Sequence, residues 1–172
     1  KDILHARIDR RRKLPATTLL YALGMDDDEI LSFFYATADY IFDEKRGWKT
    51  AFRPERLRGL KATRDLVNAK TGRVAIEGGT KITGRLLKKL ESTTIRELLV
   101  PIDEMVGRFA AVDIINESNG EIYVEAGEEL TEENIAVLEE AGVKLVSTLD
   151  IDNITVGPYI RNTLAADKVT DR

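Results

Sequence analysis

Two stretches of the sequence, Asp65-Leu66-Val67-Asn68-Ala69-Lys70-Thr71-Gly72 and Asp113-Ile114-Ile115-Asn116-Glu117-Ser118-Asn119-Gly120, mark a tandem repeat that decides the fold. Residues 62–100, the first repeat, match residues 110–148, the second repeat, at a constant offset and without a gap. Aspartate, asparagine and glycine stand at the same places in both stretches, and aliphatic residues recur at matching places beyond them. Because chance rarely produces such a match, we interpret the repeats as two copies of one supersecondary unit.

Each repeat begins with the pattern of a β-hairpin. The turns at residues 68–72 and 116–120 each end on a glycine, where a positive φ is expected. Aliphatic residues then alternate with polar ones over residues 74–76 and 122–124, which predicts a half-buried strand in both repeats.

A helix and a further strand follow each predicted hairpin. Thr83 and Thr131 are suitable N-caps, because a threonine hydroxyl can accept a hydrogen bond from a backbone N–H of the first turn. The apolar residues that follow fall on one helical face in both repeats. Gly142 is expected to end the second helix, and residues 143–146 then predict a strand.

The first 60 residues follow a different pattern. Pro15 predicts the first position of a helix that runs to Leu23, and Asp26 predicts the cap of a second helix over residues 28–35. Residues 38–42 predict a strand before a turn. A DNA-reading helix-turn-helix is disfavoured, because the second helix is acidic and apolar and would face phosphates poorly. We expect a packed helical pair instead.

Composition limits the class of protein. Hydrophobic residues make up 43% of the 172 residues and charged residues 33%, which is typical of a soluble, folded protein. The chain has no cysteine and one histidine, so a disulfide framework is excluded, a structural zinc site is nearly so, and a cytoplasmic location is expected. No apolar run is long enough for a membrane helix, and no nucleophile–base arrangement is recognisable. The chain begins at Lys1 rather than Met, and we expect it to be an excised piece of a larger protein.

Charge is unevenly distributed along the sequence. The formal net charge is −4. Residues 61–108 hold 10 basic and 6 acidic side chains, whereas residues 109–148 hold one basic residue, Lys144, against 10 acidic ones. The acidic segment should repel nucleic acid and favour basic protein surfaces.

The densest basic run lies at residues 7–13, with five basic residues and one acidic residue. Arginine forms forked contacts with phosphates, and such a cluster attracts nucleic acid without regard to sequence. A solvated basic turn before a helix, or a charged patch on a partner protein, is an equally good interpretation from composition alone. The candidate nucleic-acid-binding residues are Arg7, Asp9, Arg10, Arg11, Arg12 and Lys13.

Residues 7–17, Arg-Ile-Asp-Arg-Arg-Arg-Lys-Leu-Pro-Ala-Thr, closely resemble a segment of the β subunit of bacterial DNA-directed RNA polymerase. The resemblance continues through residues 19–24 and 54–59 and returns at residues 157–160 and 162–164. It implies that residues 1–60 and 149–172 belong to the lobe of that subunit. The two repeats, assigned to residues 61–108 and 109–148, would then be a lineage-specific insertion within the lobe.

The resemblance also implies a role. The parent enzyme is a nucleotidyltransferase that makes RNA from ribonucleoside triphosphates, and its catalytic magnesium is held by the other large subunit. This chain is therefore expected to hold no cofactor and to be inactive alone. Its lobe would line the downstream DNA cleft, with Asp9 in a pocket for an unpaired base of the non-template strand and the arginines of residues 7–12 in phosphate or structural roles. The insertion could meet regulators of the secondary-channel type.

The expected fold class is α+β: a discontinuous lobe portion with helices, interrupted by two hairpin–helix–strand modules. The expected partners are other polymerase subunits, DNA and regulators, with no membrane. Two other functions stay open. An autonomous nucleic-acid-binding protein could use residues 7–13, although the chain is acidic overall and lacks an aromatic stacking platform. An enzyme in its own right would need a catalytic constellation that the sequence does not offer.

Overall fold

The computed structural model describes residues 2–93, 95–152 and 155–167. The fold is α+β, with helices and small antiparallel sheets alternating along the chain, which confirms the predicted class. The elements, in chain order, are β1 (His5–Arg7), β2 (Lys13–Pro15), α1 (Ala16–Ala22), α2 (Asp27–Phe34), β3 (Thr37–Asp43), β4 (Gly47–Ala51), α3 (Pro54–Leu57), β5 (Leu66–Val67), β6 (Val74–Ile76), α4 (Gly84–Glu91), β7 (Glu97–Leu99), α5 (Ile102–Met105), β8 (Ile114–Ile115), β9 (Ile122–Val124), α6 (Glu132–Glu140), β10 (Leu145–Leu149) and α7 (Tyr159–Ala166).

The chain divides into two compact units. One consists of Lys1–Ala38 together with Val106–Arg172, and the other of Asp39–Met105. The first repeat therefore lies in the continuous unit, and the second repeat lies in the unit that also holds the N-terminal helices.

The two repeats have the same order of elements, as the sequence predicted. Strands β5 and β6 form one hairpin with Leu66 opposite Ile76, and β8 and β9 form the other with Ile114 opposite Val124. A helix and a strand follow each hairpin, namely α4 and β7 in the first repeat and α6 and β10 in the second.

An aspartate carboxylate closes each hairpin. Asp65 Oδ1 accepts a hydrogen bond from Gly78 N at 2.7 Å, and Asp113 Oδ1 accepts one from Ala126 N at the same distance. One residue later the chain turns at a glycine with positive φ, Gly79 in the first repeat and its counterpart in the second. The aspartates and glycines that revealed the repeat therefore hold the loop between hairpin and helix.

The structural equivalence extends beyond the segments that the sequence comparison aligned. Gly59 N donates to Ile82 O at 2.8 Å, and Gly107 N donates to Leu130 O at 2.9 Å. The short helices α3 and α5, which precede these glycines, also occupy matching places. Residues before 62 and before 110 thus take part in the same module.

The last strand of the second repeat differs from its prediction. Residues 143–146 were expected to form it, whereas β10 covers Leu145–Leu149. The reason is the end of α6, where Gly142 has φ of 72° and Val143 N donates to Leu138 O at 3.0 Å. Because Val143 is used to cap the helix, the strand begins two residues later.

Each unit has its own hydrophobic core. In the continuous unit, Ile76, Ile82, Leu87 and Leu90 form a buried cluster between the hairpin and α4. In the other unit, the fully buried Ile30 and Leu31 of α2 pack with further apolar residues from three other segments: Ala111, Leu149, Ile160 and Leu164.

Helix α2 follows its prediction closely. Asp26 accepts a hydrogen bond from Glu29 N, and Glu29 in turn accepts one from Asp26 N, which forms a capping box. The run of carboxylates at residues 26–29 is therefore a helix start. Burial raises the pKa of Asp28, with smaller contributions from Asp113 and from the neighbouring carboxylates.

Substitution of adjacent residues on α6 tests the packing of the second repeat. Leu138 is fully buried, whereas Val137 is 46% exposed. We expect Leu138→Ala to lower the free energy of unfolding by about 2–5 kcal/mol, since it removes packed methyl groups from the core. Val137→Ala should change it by less than about 0.5 kcal/mol. Urea denaturation followed by circular dichroism measures both, and equal effects would show that α6 does not pack through this face.

Candidate nucleic-acid interface

The six candidate residues lie on one β-hairpin, formed by β1, β2 and the turn between them. Ala6 stands opposite Leu14 and Arg7 opposite Lys13, and Ile8 N donates to Arg12 O at 3.1 Å. All six candidate side chains are exposed. The structure therefore brings together every residue that the sequence proposed, on a surface that we call the basic hairpin, residues 5–15.

Asp9 organises the turn of the basic hairpin. Its Oδ1 accepts hydrogen bonds from Arg11 N and Arg12 N, both at 2.8 Å, and its Oδ2 accepts one from Arg12 Nε at 2.7 Å. The bond from Arg11 N, followed by the two from Arg12, holds the pKa of Asp9 below its usual range. The carboxylate therefore stays ionised and fixes the backbone of the tip.

The charge at the tip is strongly positive. Arg12 pairs with Asp9, yet its side chain remains 79% exposed, while Arg10 and Arg11 are exposed on the same turn. A hairpin that carries five cations against one carboxylate attracts polyanions. An arginine fork can bind one phosphate through two N–H groups.

The base of the hairpin is fixed by buried threonines. Leu4 N donates to Thr163 Oγ1 at 2.8 Å, and Thr163 Oγ1 donates to Tyr159 O at 2.6 Å within α7. Thr17 Oγ1 donates to Asp167 Oδ2 at 2.5 Å. Both threonines are fully buried. Bonds between the two ends of the chain therefore hold the basic hairpin.

Sequence reasoning missed this anchor. It predicted neither α7 nor the roles of Thr163 and Asp167. The short apolar run around Ile160 and Leu164 was a weak signal for a helix. Nothing local indicated that the hydroxyl of Thr163 and the carboxylate of Asp167 would accept hydrogen bonds from residues more than 140 positions away in sequence.

Arg161 adds a second fixed point in the same unit. Its Nε donates to Gly127 O at 2.7 Å, and its guanidinium carbon lies 4.0 Å from the centroid of the Phe109 ring. Burial lowers the pKa of Arg161, and Glu129 acts in the opposite direction. This arginine ties α7 to the loop of the second repeat and is a structural residue.

The helices of the two repeats differ in charge. Helix α4 exposes Arg85, Lys88 and Lys89, whereas α6 has Glu133, Ala136 and Val137 at the matching positions. One fold thus presents a basic helix in one repeat and an acidic one in the other.

Among the described residues, no three His, Cys, Asp or Glu side chains are placed to hold a metal ion. None of the helices in that part of the chain is both long and apolar enough to cross a membrane.

Curated relatives resemble the chain along its whole length. A DNA-directed RNA polymerase subunit beta from Cereibacter sphaeroides (strain ATCC 17029 / ATH 2.4.9) is 54% identical over 98% of the chain. Proteins of the same name from Jannaschia sp. (strain CCS1) and Sinorhizobium fredii (strain NBRC 101917 / NGR234) are 53% and 55% identical over all of it. The chain spans 12–13% of the length of these relatives. No protein-family model matches the chain.

The ionisation of Asp9 gives a test of the hairpin geometry. We expect the amide resonances of Arg11 and Arg12 to titrate together as the pH falls, with a midpoint below the ordinary value of about 3.9 for aspartate. The stabilisation from Asp9 is present above its unfolded-state pKa and is lost as the pH falls through the lower folded-state pKa. Nuclear magnetic resonance measures this directly.

Asp9→Ala is the control for that titration. It should abolish the low-pH transition of both amides and leave the amide resonances of the buried Ile30 and Leu31 in α2 unchanged. A midpoint at or above the ordinary aspartate value would contradict the hydrogen-bonded turn.

Proposed function

We propose that this chain, which is homologous over its whole length to one segment of the DNA-directed RNA polymerase β subunit, is a non-catalytic part of that subunit. The observation that carries the proposal is an identity of 52–55% over 98–100% of the chain. The parent complex is a nucleotidyltransferase that polymerises ribonucleoside triphosphates on a DNA template. Its magnesium belongs to another subunit, and its other subunits are the first partners of this chain in the cytoplasm.

The basic hairpin is the DNA-facing part. The hairpin carries five exposed cations, and Asp9 fixes its turn, which supports a role as a wall of the downstream DNA cleft. Arg7, Arg10, Arg11 and Lys13 attract the phosphates of downstream duplex or of the non-template strand. Asp9 has lone pairs beyond those used in the turn and can accept a hydrogen bond from an unpaired base.

The remaining assignment follows the repeats. Residues 1–60 and 149–172 form the lobe portion, and residues 61–108 and 109–148 form the insertion. Because residues 109–148 hold 10 acidic side chains and one basic one, this part suits a protein partner better than DNA. Regulators of the secondary-channel type are the partners that we propose for it.

An autonomous nucleic-acid-binding protein is the second candidate, and the basic hairpin is the observation in its favour. Its weakness is the net charge of −4, which opposes binding outside the hairpin. Strong binding of DNA by the chain alone, at physiological salt, would favour this candidate over a wall that needs the rest of a polymerase.

DNA binding by the hairpin is testable with a forked DNA that has an unpaired non-template strand. We expect weak binding at low salt. Replacement of Arg10, Arg11 and Arg12 by alanine should reduce the magnitude of the negative slope of log K against log salt by about 2. Fluorescence anisotropy over a salt series measures the slope. Asp9→Ala should weaken the preference for the fork over plain duplex.

The matched control removes the same charge from α4, through Arg85→Ala, Lys88→Ala and Lys89→Ala. It should leave the salt slope within about 0.5 of the parent, since these residues lie outside the hairpin. Equal losses in both triple variants would mean that the chain attracts DNA only by its overall charge.

Catalytic inactivity of the chain alone is a further expectation. Incubation with a DNA template, ribonucleoside triphosphates and magnesium should give no RNA on a denaturing gel, because the proposed parent enzyme holds its catalytic magnesium in another subunit. A polymerase that contains the full β subunit is the positive control. RNA synthesis by the purified chain would contradict the proposal that it is non-catalytic.

A further inference from the structure

The two repeats differ in the backbone pairing along one edge of their last strand. In the first repeat, the hairpin turn covers the edge of β7: Asn68 stands opposite Leu98 in an antiparallel bridge, and Ala69 N donates to Glu97 O at 3.0 Å. The opposite edge of β7 pairs with β4, where Thr50 stands opposite Leu98. Strand β7 therefore has a pairing segment on both sides.

In the second repeat, residues 109–111 cover only the C-terminal half of β10. Ala110 stands opposite Thr148, and Ala111 N donates to Ser147 O at 2.9 Å. Among the described residues, an isolated bridge joins Ala110 to this edge, and none joins residues 145–146. Asn116, the counterpart of Asn68, forms no such bridge within that part of the chain.

A groove of about 670 Å³ lies where the first repeat has its own turn. One wall consists of residues 112–118 and the other of residues 141–145, with Tyr123 and Ser147 completing the lining. Leu145 of β10 lines this groove, next to the part of the strand edge that residues 109–111 do not cover.

Three aliphatic side chains in the lining of the groove are exposed to solvent. Val112, Ile115 and Leu145 are 43%, 47% and 54% exposed. Clustered exposed aliphatic residues typically mark an interaction site. Asp113 and Glu117 also line the groove, opposite Lys144.

Two of the three matching positions in the first repeat are charged and ion-paired, and the third is Val67. Arg64, the counterpart of Val112, forms an ion pair with Glu104. Glu97, the counterpart of Leu145, lies 3.0 Å from Lys49 Nζ. One copy of the module thus closes its edge with its own turn and ion pairs, and the other presents aliphatic residues at an open edge.

We propose that this groove binds an extended segment of a partner protein, which adds as a strand beside residues 145–146 and carries apolar side chains alternating with lysine or arginine. Strand addition supplies backbone hydrogen bonds, and the alternation places every second side chain on Val112, Ile115 and Leu145. The bridge between Asn68 and Leu98 in the first repeat is the internal example of this pairing. The acidic surroundings favour a basic segment.

The inference rests on the proposed docking role of the insertion and adds the chemistry of its partner. The probe is a fluorescent synthetic peptide of alternating valine and lysine, titrated into the 172-residue chain. We expect saturable binding, with shifts of the Leu145 and Val146 amide resonances. A peptide of alternating valine and glutamate should bind at least about tenfold more weakly.

The decisive variant replaces two groove side chains with those found at the matching positions of the first repeat. Val112→Arg with Leu145→Glu keeps the net charge and uses residues that the same module already accommodates. It should raise the peptide Kd about tenfold or more, equivalent to the loss of roughly 1.4 kcal/mol. Val137→Gln, which removes an exposed aliphatic residue outside the groove, is the matched control and should leave Kd within about twofold.

A second measurement keeps the test valid if the double variant does not fold. The same peptide with alternate backbone nitrogens methylated retains its side chains and loses its strand hydrogen bonds, so it should not bind the parent chain. Absence of binding by the valine–lysine peptide, equal binding of its methylated form, or unchanged Kd in a folded double variant would each overturn the proposal. The peptide assay contains no DNA or polymerase and is therefore independent of the DNA-binding assay. If the chain binds the peptide but its basic hairpin does not bind DNA, the proposed function is contradicted and the proposal for the groove is still supported.

Discussion

The hydrogen bond from a backbone amide to the carboxylate of Asp65 or Asp113 is the contact on which each repeat depends. It joins the residue directly before the first hairpin strand to the loop that leads into the helix, at 2.7 Å in both copies. The glycine that follows takes a positive φ, and its amide donates to the alanine carbonyl that precedes the aspartate by three residues, Ala62 or Ala110. With the loop fixed in this way, the helix is placed with its apolar face on the hairpin. Because so short a module has little core, such a local contact determines much of its geometry.

Duplication with a fixed scaffold lets the surfaces diverge. Since the aspartate, the glycines and the buried aliphatic positions carry the fold, exposed positions are free to change sign or polarity. Helix α4 is basic where α6 is acidic, and the ion-paired Arg64 and Glu97 are replaced by the exposed Val112 and Leu145. The same module can therefore close on itself in one copy and present a groove in the other. The basic hairpin is a separate device, held by buried threonines at its base and by Asp9 at its tip.

The features that sequence predicted were those with local causes. The repeat, its caps at Thr83 and Thr131 and the start of α2 at Asp26 follow from side chains that bond to nearby backbone. The clustering of residues 7–13 on one exposed turn was also foreseeable, because they are neighbours in the chain. The anchor of that turn on Thr163 and Asp167 was not, since contacts between distant residues leave no periodic pattern. The predicted start of the strand after Gly142 was two residues too early, because the backbone N–H of Val143 caps α6. The open edge of β10 became visible only when the pairings of the two repeats were compared.

The central claim is that the basic hairpin faces DNA within a polymerase, and site-specific photo-crosslinking tests it most directly. A photoreactive amino acid is placed at position 11 in a full β subunit that carries this segment, and the assembled polymerase is irradiated on promoter DNA with an open non-template strand. We predict a crosslink from position 11 to the non-template strand or to adjacent downstream DNA, and none from the same group at position 137 on α6. Absence of a DNA crosslink at position 11, or equal crosslinking at both positions, would contradict it.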